Sequence, residues 1–159
     1  MVRRTLLPAL AAVALCAASA GAQSTRHTTR SARPAARAST AATWTPVYTD
    51  DAVTVSLDRA GTHRRSDGTY DAHLKWAYNK DKAIGRNKSY RTLVERRYLD
   101  CTSLASKPVS GDTYDAANAS VSHYATSTRD LKYVDWATRP AGTSGAKAYA
   151  AVCQAIAKH

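Results

Sequence analysis

The sequence predicts an α+β fold, an antiparallel sheet of about six strands packed by a C-terminal helix and stapled by a disulfide. Three observations carry this expectation. Apolar residues alternate with period two through the middle of the chain, the spacing turns helical near its end, and one cysteine stands in each kind of segment.

The opening stretch MVRRTLLPALAAVALCAASAGAQS sets Arg3 and Arg4 before an apolar run from about Leu6 to Ala18, followed by the small triplet Ala20-Gly21-Ala22. That is the pattern of a secretory signal peptide over residues 1–22, cleaved after Ala22. A membrane span needs roughly 18 unbroken apolar residues, and this run ends sooner. Cys16 raises lipidation as an alternative, because bacterial lipoproteins are cut before a cysteine. Leu15, however, stands where a small residue is usual. The mature chain is therefore expected to be exported, periplasmic or extracellular, with no transmembrane segment. Removing Cys16 leaves Cys101 and Cys153, and two cysteines in an oxidising compartment pair.

The formal charge of +11 is spread unevenly. All twelve acidic residues lie between Asp50 and Asp135, whereas residues 23–43 hold Arg26, Arg30, Arg33 and Arg37 with no acid and no Val, Leu, Ile or aromatic residue. Such a segment cannot bury enough apolar area to offset the entropy of ordering it. It reads as a disordered arm, a solubilising spacer whose four arginines are also candidate contacts for a polyanion. Residues 44–159 then form one domain of ordinary size. Nine tyrosines, three tryptophans and no phenylalanine suit a thin layered structure whose core lies close to water.

Within that domain, VTVSLD alternates through Val53, Val55 and Leu57, and YDAHLKWAY through Tyr70, Ala72, Leu74, Trp76 and Tyr78. Asp67-Gly68 separates the two runs as in a hairpin. YRTLVERRYLDC is a third strand with apolar residues on both faces, Tyr90, Val94 and Tyr98 on one and Leu93, Leu99 and Cys101 on the other. Such a strand belongs in the centre of a sheet. Further strands are expected over Ser106 to Tyr114 and Val121 to Ala125, joined by a turn through DAAN, with a short extended piece at Tyr133 to Trp136. In TSGAKAYAAVCQAIAKH, Ala146, Tyr149, Val152, Cys153 and Ile156 recur at helical spacing. Thr143 or Ser144 caps the start, after the break at Pro140 and Gly142. Cys153 lies on the apolar stripe that must face the sheet, so a bridge to Cys101 is geometrically natural. A loop of that size stabilises by roughly 4 kcal/mol in the chain-entropy model.

Taken in order, WTPVYTD, VSLD, LKWAY, YRTLVERRYLDC, TYDAANASV and WATRPAGTSGAKAYAAVC resemble the surface-adhesin protein E family of bacterial envelope proteins. The resemblance implies a sheet of about six antiparallel strands under a C-terminal helix, joined Cys101 and Cys153 positions, and a surface role in binding host extracellular-matrix proteins. One departure is Asn118-Ala119 in the turn after Asp115, where glycine is usual in the family. Asn tolerates positive φ.

The chemical candidates are weaker. Cys101 as a nucleophile would need His73 or His123 as a base, and paired cysteines are the rule in secreted domains. His63, His73, His123 and Asp71 lack the close ligand spacing of zinc sites. Asp50 with Asp51, and Glu95 near Asp100, suggest paired carboxylates, but Arg96 and Arg97 offer them surface ion pairs. No phosphate loop, serine elbow or nucleotide motif occurs. The expectation is a secreted or periplasmic non-enzymatic binding module with an unidentified protein ligand. It needs no cofactor, has no specific nucleic-acid partner, and shows weak salt-sensitive attraction to polyanions. The alternative is an envelope structural protein held to anionic glycan or membrane by its basic arm.

Overall fold

The structure, a computed structural model, describes residues 42–158. The expected signal peptide and nearly all of the arm, with Arg26, Arg30, Arg33 and Arg37, lie outside the described residues.

Eight strands and one helix make up the domain: β1 (Trp44–Thr49), β2 (Val53–Asp58), β3 (His63–Arg64), β4 (Tyr70–Ile84), β5 (Lys88–Asp100), β6 (Ala105–Tyr114), β7 (Ser120–Ala125), β8 (Ala137–Thr138) and α1 (Ser144–Ala157). The class is α+β, with eight strands rather than six. Six of them form the continuous antiparallel path β1-β2-β4-β5-β6-β7, while the two-residue β3 pairs with β4 and β8 with β6. β5 is central, as its apolar residues on both faces require.

The alternation dictates the packing. Val53, Val55 and Leu57 of β2 face the same side as Leu74 and Trp76 of β4, their register partners. With Ala72, Leu99 and the helix residues Ala148, Tyr149 and Val152 they form a core at most 4% exposed. Each such aliphatic side chain contributes about 1.5–3 kcal/mol on burial. The helix crosses mainly β1 and β2, so the two ends of the domain close on each other. The Thr143 hydroxyl oxygen caps it, accepting from the Ala146 N–H at 3.2 Å. Cys101 and Cys153 are bridged, with Cα atoms 5.5 Å apart and a sequence separation of 52.

Two turns follow local chemistry. Gly68 takes φ +85° in the β3–β4 turn, where the Asp67 carboxylate accepts from the Thr69 N–H at 3.0 Å. Asn118 adopts φ 61°, the left-handed conformation that the glycine-free β6–β7 turn demands.

β1 forms a strand although Pro46 interrupts its donors, because an edge position tolerates proline. Two expectations need correction. The piece expected to be extended at Tyr133 to Trp136 is preceded by a 3₁₀ turn over Asp130–Tyr133, and the strand falls later, at Ala137–Thr138. Tyr90 does not share a face with Val94 and Tyr98. The register shift between Ala77 and Lys82 breaks the alternation, and the Tyr90 ring meets Tyr78 edge-on at 5.8 Å.

Candidate functional site

On the helix side of β5, residues two apart share a face, which sets Glu95 beside Arg97. Both are buried, at 3% and 8% exposure. Glu95 Oε1 accepts from the Trp76 indole N–H at 2.7 Å and Oε2 from Arg97 Nη1 at 2.8 Å, with the Tyr124 hydroxyl donating to Oε2 at 3.3 Å. Arg97 also reaches the Ser106 hydroxyl, at 3.1 Å from Nη2. Tyr124 gets there by lying across Gly111, where a Cβ would stand 2.5 Å from the ring. Burial, then the Glu95 charge, raises the Tyr124 phenol above its usual range. The surface ion pair read from the sequence is thus a buried one. Glu95 has donors on both oxygens and performs a structural task.

The opposite face is wetter. Arg96 clamps Asp71 in a bidentate pair, Nε to Oδ1 at 2.8 Å and Nη2 to Oδ2. His63 approaches the same carboxylate at 3.6 Å. His73 lies on this face half-buried, and desolvation lowers its pKa despite the Asp71 charge. His123 stands apart, paired with Asp112 at 2.7 Å across β6 and β7. Of the four groups, His63 and His73 lie near Asp71 while His123 does not, and the Asp71 carboxylate is already paired with the Arg96 guanidinium. Among the described residues no group of three or more His, Cys, Asp or Glu is placed to hold a metal ion. Asp50 works alone in a turn, not with Asp51. Its Oδ1 accepts from the Ala52 and Val53 N–H groups, each at 2.9 Å. The Ser144 and Tyr48 hydroxyls, in that order, hold it well below the usual carboxylate range. Cys101, being bridged, offers no thiol.

What the fold leaves open includes a rim at one edge of the sheet. β7 ends the sheet, so its outer backbone groups have no strand partner among the described residues. Both edge strands carry an irregularity in register, but where β1 is also blunted by Pro46, β7 carries neither proline nor a Lys, Arg, Asp or Glu. The exposed large hydrophobic residues among those described are Tyr124 at 36%, Tyr133 at 73% and Trp136 at 40%. All three fall on β7 and the segment that follows it.

That segment is fixed locally. The Ser127 hydroxyl donates to Asp130 Oδ2 at 2.6 Å while its oxygen accepts from the Asp130 N–H at 3.2 Å, and Leu131 is buried as the anchor. The Ser-x-x-Asp spacing is a capping signal present in the sequence that the period-based reading passed over. Beside the segment opens a cleft of ≈ 290 Å³ lined in part by Arg65, Tyr98, Lys107 and Trp136. The Arg65 guanidinium rests 3.5 Å above the Tyr98 ring, and the Lys107 ammonium lies 5.1 Å from the centre of Trp136. Cations held over rings bring charge and flat apolar area to one place. No helix among the described residues is long and apolar enough to cross a membrane.

Comparison with known proteins gives one match. The profile of the family described as surface-adhesin protein E aligns with residues 44–154, the whole folded domain except its last turn. No curated protein and no solved structure matches the chain significantly.

Proposed function

The chain belongs to the surface-adhesin protein E family, and from that premise we propose that it is an exported, non-enzymatic module that binds a protein at or outside the cell envelope. The observation that carries this reading is that the exposed large aromatic residues among those described, Tyr124, Tyr133 and Trp136, all fall on β7, the open edge of the sheet, or on the segment that follows it. Tyrosine and tryptophan supply most of the energy at protein interfaces, because they bury large area at small entropic cost while keeping a polar tip. An unpaired strand edge adds main-chain donors and acceptors to which an extended partner segment can pair. Lys107, held over the Trp136 ring in the adjoining cleft, favours a partner that presents carboxylates, whereas Arg65 is already paired with Asp67 at 3.2 Å.

The test is binding of the oxidised domain to an immobilised panel of purified extracellular-matrix and envelope proteins. At least one is expected to bind, and the double replacement Tyr133→Ala and Trp136→Ala is expected to weaken it by about 2 kcal/mol or more, roughly thirtyfold. Both residues are exposed, so the fold survives the change. Absence of binding across the panel, or binding untouched by the double replacement, overturns the reading.

A further inference from the structure

The β4–β5 hairpin is longer than the sheet it belongs to. β2 leaves β4 at Tyr78 and β6 leaves β5 at Thr92; Asn79 still bonds the β1–β2 turn, its N–H donating to the Ala52 carbonyl at 3.0 Å, and residues 80–91 pair only with one another. Two strands without a third, and without an apolar layer beneath them, contribute little stability. This arm carries Lys80, Lys82, Arg86, Lys88 and Arg91 against the single acid Asp81. Arg91 is taken by Asp81 at 2.7 Å. The other four are exposed and have no ion-pair partner among the described residues.

At the base of the arm lies a cleft of ≈ 370 Å³, lined in part by Trp76, Tyr78, Lys82 and Arg139. Tyr78 is half-buried and backed by Trp76 in a nearly parallel stack, centroids 6.4 Å apart and 15° between planes. The Lys82 ammonium stands 5.2 Å from the Tyr78 ring. Arg139 likewise has no carboxylate partner among the described residues and lies 5.7 Å from the centre of the Tyr149 ring.

We infer that the arm and the cleft at its base form a second binding surface, whose ligand is an anionic polysaccharide. Unpaired cations along an extended ladder match charges repeated along a polymer, and a ring presented in a cleft between two cations matches the apolar face of a sugar that bears an acidic group. A lipid surface fits less well. Ile84 is the one large aliphatic residue near the tip and is half-buried, while Gly85, Arg86 and Asn87 offer nothing to insert. Single-stranded nucleic acid is usually held by several stacking platforms, and the cleft presents one open ring. The surface shares no residue with the aromatic rim, so either proposal can fail without the other.

The experiment measures binding of the full chain to a heparin oligosaccharide, to neutral dextran, to vesicles of anionic phospholipid and to single-stranded DNA, at about 0.15 M salt. The arm variant carries Lys80→Ala, Lys82→Ala and Lys88→Ala; a charge-matched control carries Arg64→Ala, Arg129→Ala and Lys147→Ala. Heparin is expected to bind while dextran does not, with the arm variant weakened about tenfold or more and the control less than about threefold, since net charge alone acts on both equally. Equal losses in the two variants overturn the proposal, as do vesicles or DNA binding as tightly as heparin, or no binding to heparin at all. Circular dichroism of both variants separates loss of binding from loss of fold.

Discussion

Arg96 and Arg97 are neighbours on β5, yet they meet their carboxylates on opposite faces of the sheet. Arg97 and Glu95, under the helix, have side chains only 10% and 2% exposed; Asp71 is also withdrawn, at 4%, but Arg96 keeps 42% of its side chain in water. The contrast is one of solvation more than of charge. A pair whose two members are both dry has given up its hydration and depends on every remaining hydrogen bond, here from Trp76, Tyr124 and Ser106. A pair with one wet member can fall back on water. The helix side of the sheet is therefore specified around Glu95 by a fully hydrogen-bonded pair, though the buried Tyr149 hydroxyl on that side has no hydrogen-bond partner among the described residues, and the other side by more tolerant polar contacts.

The strongest way to break this comparison is to remove each arginine. Arg97→Ala leaves Glu95 dry and unpaired and is expected to cost about 3–5 kcal/mol in urea denaturation. Arg96→Ala opens Asp71 to water and leaves His63 nearby, so about 1–2 kcal/mol is expected. Equal losses would mean that the two faces do not differ in the way described.

Next in size is the slot beneath Tyr124. Gly111→Ala drives a methyl group into the ring and pushes the hydroxyl from Glu95, at an expected cost of about 1–3 kcal/mol. Ser110→Ala, one residue away and on the wetter face, should stay within about 0.5 kcal/mol. A thermal melt of each protein separates the two outcomes.

The smallest effect belongs to His73. Burial favours its neutral form, so its folded pKa lies below the unfolded value of about 6.5. The unfolded chain then takes up protons that the folded one does not, and stability declines as pH falls from about 6.5 toward the lower folded value. His73→Gln should flatten the pH dependence of the melting temperature over that window. A slope unchanged by the substitution would assign the acid sensitivity to other groups.

Much of the fold was written in local periodicity. Tyr70 to Tyr78 alternates because one face is buried, and Ala146 to Ile156 is spaced helically for the same reason. Asp67-Gly68 and Thr143 mark their turn and cap because those side chains satisfy nearby backbone groups directly. What escaped was what periodicity does not encode. β4 continues past Tyr78 to Ile84 on mostly polar residues, held beyond Asn79 by pairing with β5. Pro46 argues against a strand unless the strand is known to be an edge. Glu95 and Arg97, two apart, showed that they share a face, but nothing local showed that Tyr149 and Tyr124 would seal them from water. The aromatic rim was the least legible, since Tyr124, Tyr133 and Trp136 look like core residues until the sheet order leaves them outside.

The docking of α1 on β1 and β2 also constrains how the chain is made. The hydrophobic face of β2 is translated before most of the sheet, and the side chains that cover it, Ala148, Tyr149 and Val152, come after every strand. The β4–β5 ladder joins sequence neighbours and closes with little loop entropy, so it is available early in synthesis. The core cannot be sealed until the final helix has emerged. The face of β2 under the helix thus stays uncovered until α1 has been made.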